Sequence, residues 1–256
     1  MPANLLRQLS KLRQLSMASV DLSSTAEELL ALPALKDLQA LGLPSCKLQA
    51  APRSLSALTQ LTALNLSFNS MSTLAPLTTL QRLQSLDLSH CSLTALPEEL
   101  LALTSLTRID LGQNWRLDGN WQHLLTLTQL QDLSLKQCNL TAVPQQVSEL
   151  TALARLDLSA NSPLDSGWQH LLPLYQLQHL HLAHCNLTAV PEQLSALLAL
   201  TSLNLYWNDA LAGGWQHLLP LTHLQQLSLE GVPLPGGKPP PELSALPQLR
   251  VVMGTE

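Results

Sequence analysis

One phrase returns along almost the whole chain, and a chain that repeats itself at a short fixed interval has few folds open to it. Leu130-Gln-Asp-Leu133-Ser-Leu135-Lys-Gln-Cys138-Asn-Leu140 and Leu177-Gln-His-Leu180-His-Leu182-Ala-His-Cys185-Asn-Leu187 share every leucine position. Between them, Leu153-Ala-Arg-Leu156-Asp-Leu158-Ser-Ala-Asn161 keeps the frame with Asn in place of Cys. The frame restarts at Leu61, Leu83, Leu106, Leu200 and Leu224, more weakly at Leu12 and Leu38, and in truncated form at Leu249. A repeat of about 23 to 24 residues cannot bury its own apolar face, so neighbours must stack and share a core.

Within the frame, leucines at the fourth and sixth positions alternate with polar residues, which predicts a short strand buried on one side. Stacked repeats then pair these strands in parallel. The ninth position alternates Cys46, Asn69, Cys91, Asn114, Cys138, Asn161, Cys185, Asn208, where the chain must turn. An inward Asn can satisfy backbone groups of that turn, and a buried Cys is a small, weakly polar filler. The segments that follow also alternate. After Cys comes Leu-Thr-Ala-Val-Pro or a near copy, ending at Pro97, Pro144 and Pro191; after Asn comes Trp-Gln-His-Leu-Leu, from Trp121, Trp168 and Trp215. Proline at a first helical position, and Gly or Asn before each Trp, predict short helices or 3-10 turns. Ser24 to Glu27 and Thr25 to Glu28 read as capping boxes, and the tract from Pro233 to Pro241 reads as extended or polyproline II chain.

The pattern L-x-x-L-x-L-x-x-N/C-x-L resembles that of the leucine-rich repeat family, over nearly the whole chain. The resemblance implies an α/β fold: a right-handed leucine-rich-repeat solenoid, or horseshoe, with a parallel sheet on the concave face and short helices, 3-10 or extended turns on the convex face. Residues 1–256 are expected to form a single array of about ten coils, similar to intracellular members. The family implies a non-enzymatic protein-protein interaction scaffold, cytoplasmic or cytoskeleton-associated, or a recognition fragment of a larger receptor or adaptor. Polar terminal caps are not evident, which predicts part of a longer array or end-to-end self-association.

Composition narrows the partners. Hydrophobic residues make up 46% of the chain, yet only 3% is aromatic and 12% charged, so the core is aliphatic and the chain should fold rather than stay disordered. No apolar run approaches the roughly 18 residues of a membrane span. Net charge is -5 with 13 Lys and Arg, which argues against nucleic acid. The first eleven residues lack the apolar core of a secretory signal. The acceptor patterns at Asn65, Asn139 and Asn186 then read as by-products of the repeat.

Candidate chemistry is sparse. The four cysteines fall on alternate coils, nearly 10 Å apart at a strand spacing of about 4.8 Å, too far for a disulfide or a shared zinc; they should be reduced and buried. His123, His170 and His217 recur in the Trp-Gln-His phrase and read as structural. Asp87 and Asp110 occupy equivalent positions on adjacent strands, but a regular open face is expected to offer no pocket. No nucleophile with a base, phosphate loop or zinc helix motif occurs, so no catalytic residue, metal or cofactor is assigned. A protein partner is expected on the concave face, at positions three, five, seven and eight of each frame. There Arg155, Asp157, His179, His181, His184, Tyr206 and Trp207 depart from a background of small residues, and Tyr, Trp and Arg are the types enriched at binding hot spots. The alternative is a metal-dependent enzyme using His179, His181 and His184.

Overall fold

The computed structural model describes residues 11–253. They fall into two compact units, divided between Leu130 and Gln131. The first carries strands β1 (Gln14–Ser16), β2 (Ala40–Gly42), β3 (Ala63–Asn65), β4 (Ser85–Asp87) and β5 (Arg108–Asp110). The second carries β6 (Asp132–Ser134), β7 (Arg155–Asp157), β8 (His179–His181), β9 (Ser202–Asn204), β10 (Gln226–Ser228) and β11 (Arg250–Val252). Within each unit every strand pairs in parallel with its sequence neighbour, as a stacked repeat requires.

Each strand is three residues of the frame, positions three to five, with the middle residue inward. Leu41, Leu64, Leu86, Leu156, Leu180 and Leu203 are all buried, as are the sixth-position leucines that follow them. A Leu taken fully out of water is worth about 1.5–3 kcal/mol, so the aliphatic ladder dominates the stability of each coil. Away from the strands the chain forms one α-helix, α1 (Ala26–Leu30), and otherwise 3-10 turns among the described residues, such as Glu98–Ala102, Gln145–Glu149 and Trp168–Leu171.

The alternation of Cys and Asn has a structural cause. Asn161 Oδ1 accepts the N–H groups of Cys138 and Leu140 in the preceding coil, at 2.9 and 3.0 Å. Its Nδ2 donates to the carbonyls of Leu135, Leu158 and Ser159. Asn69, Asn114 and Asn208 likewise accept from Cys46 and Leu48, from Cys91 and Leu93, and from Cys185 and Leu187. One buried amide therefore closes the turns of two coils, and the preceding coil needs only a small residue at its own ninth position. All four cysteines are buried and unbridged, as their spacing predicts.

Several local expectations change. Proline sits at the N-cap rather than inside the turn, at Pro97, Pro144 and Pro191. Neither capping box forms: α1 begins after Thr25 without a side-chain cap, and Glu27 reaches the next coil instead, accepting the N–H groups of Arg53 and Ser54 at 2.7 and 2.9 Å. The Pro-rich tract is not continuously extended, because Pro235–Gly237 makes a tight turn with Gly236 and Gly237 at positive φ. In β11, Val251 pairs with Leu227, so the last frame starts one residue before Leu249. Adjacent valines gave the sequence no means of choosing between the two registers. The glycines before Trp168 and Trp215 are left-handed, and a Cβ on Gly167 would lie 2.5 Å from the Val143 carbonyl oxygen. The reading of the first eleven residues as lacking a secretory signal lies, but for Lys11, outside the described residues.

Candidate functional site

The predicted partner residues all belong to the second unit, but they divide into two groups. Arg155, Asp157, His179 and His181 stand on the exposed face of β7 and β8, with Arg155 in register with His179 and Asp157 with His181. His184, Tyr206 and Trp207 lie beyond the strands. Positions seven and eight belong to the turn, and eight is left-handed in coil after coil, at Phe68, His90, Gln137, Ala160, His184 and Trp207. A left-handed residue turns the chain off the sheet, so these side chains line its edge rather than its face.

The edge group is a ring cluster. His184 stacks on Trp207 at 5.7 Å between centroids and 21° between planes, and meets Tyr206 edge-on at 5.4 Å. The indole also leans on Gly231 of the next coil, where an added Cβ would come within 2.8 Å of Trp207 Cγ. Trp207 is still 49% exposed. His184 stacking and the contact with Gly231 take up part of its ring surface.

On the face, Arg155 Nε donates to Asp132 across the strands at 3.0 Å. Asp157 Oδ1 accepts the Ser159 N–H at 2.8 Å. Asn65, Asp87, Asp110 and Asn204 make the same bond two residues ahead, so an Asx turn explains this position. Burial lowers the His179 pKa below the usual imidazole value, helped by the charges of Arg155 and His181 and opposed by Asp132. The metal alternative loses its geometry. His179 and His181 share a face, but His184 sits past the turn, and no group of three or more potential ligands comes together among the described residues.

Elsewhere the recurrent histidines are embedded in the turns, as in the 2.9 Å contact of His123 Nδ1 with the Leu96 carbonyl. Asn139 and Asn186 are left-handed, which accounts for Asn in the repeated Cys-Asn-Leu-Thr phrase. Burial pushes the Cys91 and Cys185 thiols up to about 12, leaving them poor nucleophiles.

The face of the first unit is open but not flat. A trough of about 630 Å³ runs over β1 to β5. Small residues Ser16, Ala40, Gly42, Ala63 and Ser85 share its lining with Gln14, Asn65 and Asp87, and Arg108 and Asp110 stand on β5. Small residues seemed uninformative in sequence because they bind little individually. Clustered on neighbouring strands, they make the space.

Parallel three-residue strands, buried leucine rungs and an asparagine ladder define a leucine-rich-repeat fold. The Leucine Rich Repeat family model matches residues 82–103 and 176–197, two of the coils. No curated protein sequence matches the chain. Among solved structures it is similar to an internalin from Listeria monocytogenes, with a TM-score of 0.78 and 20% identity over 97% of this chain and 68% of that one. An LRR protein from Leptospira interrogans gives 0.73 and 23%, over 100% of this chain and 71% of the other. TLR13 in its complex with ssRNA13 gives 0.74 and 22%, over 94% of this chain and 37% of that one. These likenesses concern the fold, which generally serves as a protein-protein interaction module.

Proposed function

We propose that this protein is a non-enzymatic, cytoplasmic interaction scaffold whose second unit binds a protein partner through β7, β8 and the adjoining ring cluster. The observation that carries this reading is the convergence of His184, Tyr206 and Trp207 in one ring cluster. Large, partly exposed rings with few rotatable bonds gain contact area at little entropic cost. An acidic balance, with 13 basic against 18 acidic residues, favours a protein over a nucleic acid. Four unbridged cysteines suit a reducing compartment.

The test is affinity capture on the full chain from its native cells, followed by binding of the captured protein to Tyr206→Ala/Trp207→Ala and to Gln169→Ala, a control on the outer turns. Removing two central rings should weaken binding about tenfold or more, with Gln169→Ala unchanged and circular dichroism confirming both folds. Equal affinity in the two variants would remove the assignment.

A further inference from the structure

We propose that a cleft on the flank of the first unit, bordered by the segments that follow Asn69, Cys91 and Asn114, binds a small aliphatic diamine or polyamine. It uses neither the strand face nor the ring cluster, so it stands or falls separately from the partner reading above.

One coil departs from the repeat, and the cleft lies beside the departure. The inward leucines Leu124, Leu171 and Leu218 each follow their turn asparagine, Asn114, Asn161 or Asn208, by ten residues, whereas Leu77 follows Asn69 by only eight. Three residues before the leucine the longer coils carry Trp121, Trp168 or Trp215; in the short coil that place falls to Leu74. Residues 71–74, 92–99, Asn120 and His123 border a space of about 520 Å³ there. At the corresponding positions of the second unit, Trp168 lies against residues 186–191 and the space shrinks to about 340 Å³. The larger cleft is of a size that holds small organic molecules.

Its lining selects the guest. Leu93, Leu96 and Pro97 make an aliphatic wall beside Leu74. Pro97 is followed by Glu98 and Glu99, both lining the cleft, where Pro144 is followed by two glutamines and Pro191 by Glu192 and Gln193. Glu99 uses one oxygen to accept the Leu74 N–H at 3.3 Å. His123 Nδ1 lies 2.9 Å from the Leu96 carbonyl oxygen, which only accepts, so Nδ1 carries the proton and the neutral ring leaves Nε2 as a further acceptor. No Lys or Arg lines the cleft. The fitting guest brings hydrogen-bond donors, positive charge and an apolar stem, and primary ammonium groups joined by methylenes supply all three. A bare metal ion fits less well, since no group of three or more potential ligands comes together among the described residues.

Isothermal titration calorimetry of the full chain with spermidine and putrescine at low salt tests this. A single site is expected, with no heat from butanediol, which has the stem of putrescine without its charges. Glu98→Gln/Glu99→Gln keeps an acceptor for the Leu74 N–H and should weaken spermidine about tenfold. Leu74→Trp, which restores the tryptophan of the longer coils, should abolish binding; if its thermal melt falls, the glutamine variant decides. Glu192→Gln, at the place equivalent to Glu98 in the second unit, should leave affinity unchanged. Overturning results are no saturable heat, several equivalent sites, full affinity in the double glutamine variant, or an equal loss from Glu192→Gln, which would make the amine a counterion of the acidic chain. Displacement by magnesium chloride beyond that by sodium chloride of equal ionic strength would assign the cleft to a metal and overturn the proposal as well.

Discussion

At the scale of single residues, the buried asparagines carry the most specific structural information. Asn161 makes five hydrogen bonds to the main chain, and no other side chain of its size offers an acceptor and two donors in that arrangement. Asn161→Asp removes the donors and places a carboxylate against three carbonyls; Asn161→Ala orphans two N–H groups as well. Each change should destabilise the protein by about 3 kcal/mol or more, read as a lower urea midpoint with the slope retained. The sequence pointed to this role through the alternation at the ninth position. It could not reveal that the partner of each Asn is the preceding Cys coil, because that bond exists only once coils stack.

At the scale of elements, α1 illustrates how capping moves between coils. Its own N-terminus has no side-chain cap, while Glu27 caps the 3-10 turn Arg53–Ala57 of the next coil. Burial alone would raise the Glu27 pKa, but hydrogen bonds from Ser54 and Arg53 outweigh it and hold the carboxyl below its usual 4.5. A depressed folded-state pKa means the contribution is present above the unfolded value and lost as pH falls through the folded one. Glu27→Gln should therefore lower Tm by about one to two degrees near pH 6, a gap that closes toward pH 3. A gap that persists unchanged at pH 3 would mean the charge has no part in it. Capping boxes were legible as local motifs, yet the structure uses the same Glu at longer range, since the neighbouring coil presents two unpaired N–H groups.

At the scale of the whole molecule, the aliphatic composition and the spacing of the cysteines make one joint prediction. Cys46, Cys91, Cys138 and Cys185 are all buried, so thiol reagents at pH 8 should react slowly with the native protein. Denaturation without reductant should then release four free thiols. Fewer than four would contradict both the coil register and the proposed reducing compartment. No helix among the described residues is long and apolar enough to cross a membrane.

Repetition in the sequence was enough to determine the frame, the inward leucines and the parallel pairing of successive strands. All of these follow from residue type at a fixed period, which constrains local backbone and facing alike. The tertiary structure alone decided what lies next to what across coils. It set His184 against Trp207, sent Trp207 onto Gly231, moved positions seven and eight off the sheet face, and gathered Ser16, Ala40, Gly42, Ala63 and Ser85 into a trough. Residues more than twenty positions apart meet there through stacking, and a void is defined by the neighbours that surround it, so neither is a property that any single repeat carries.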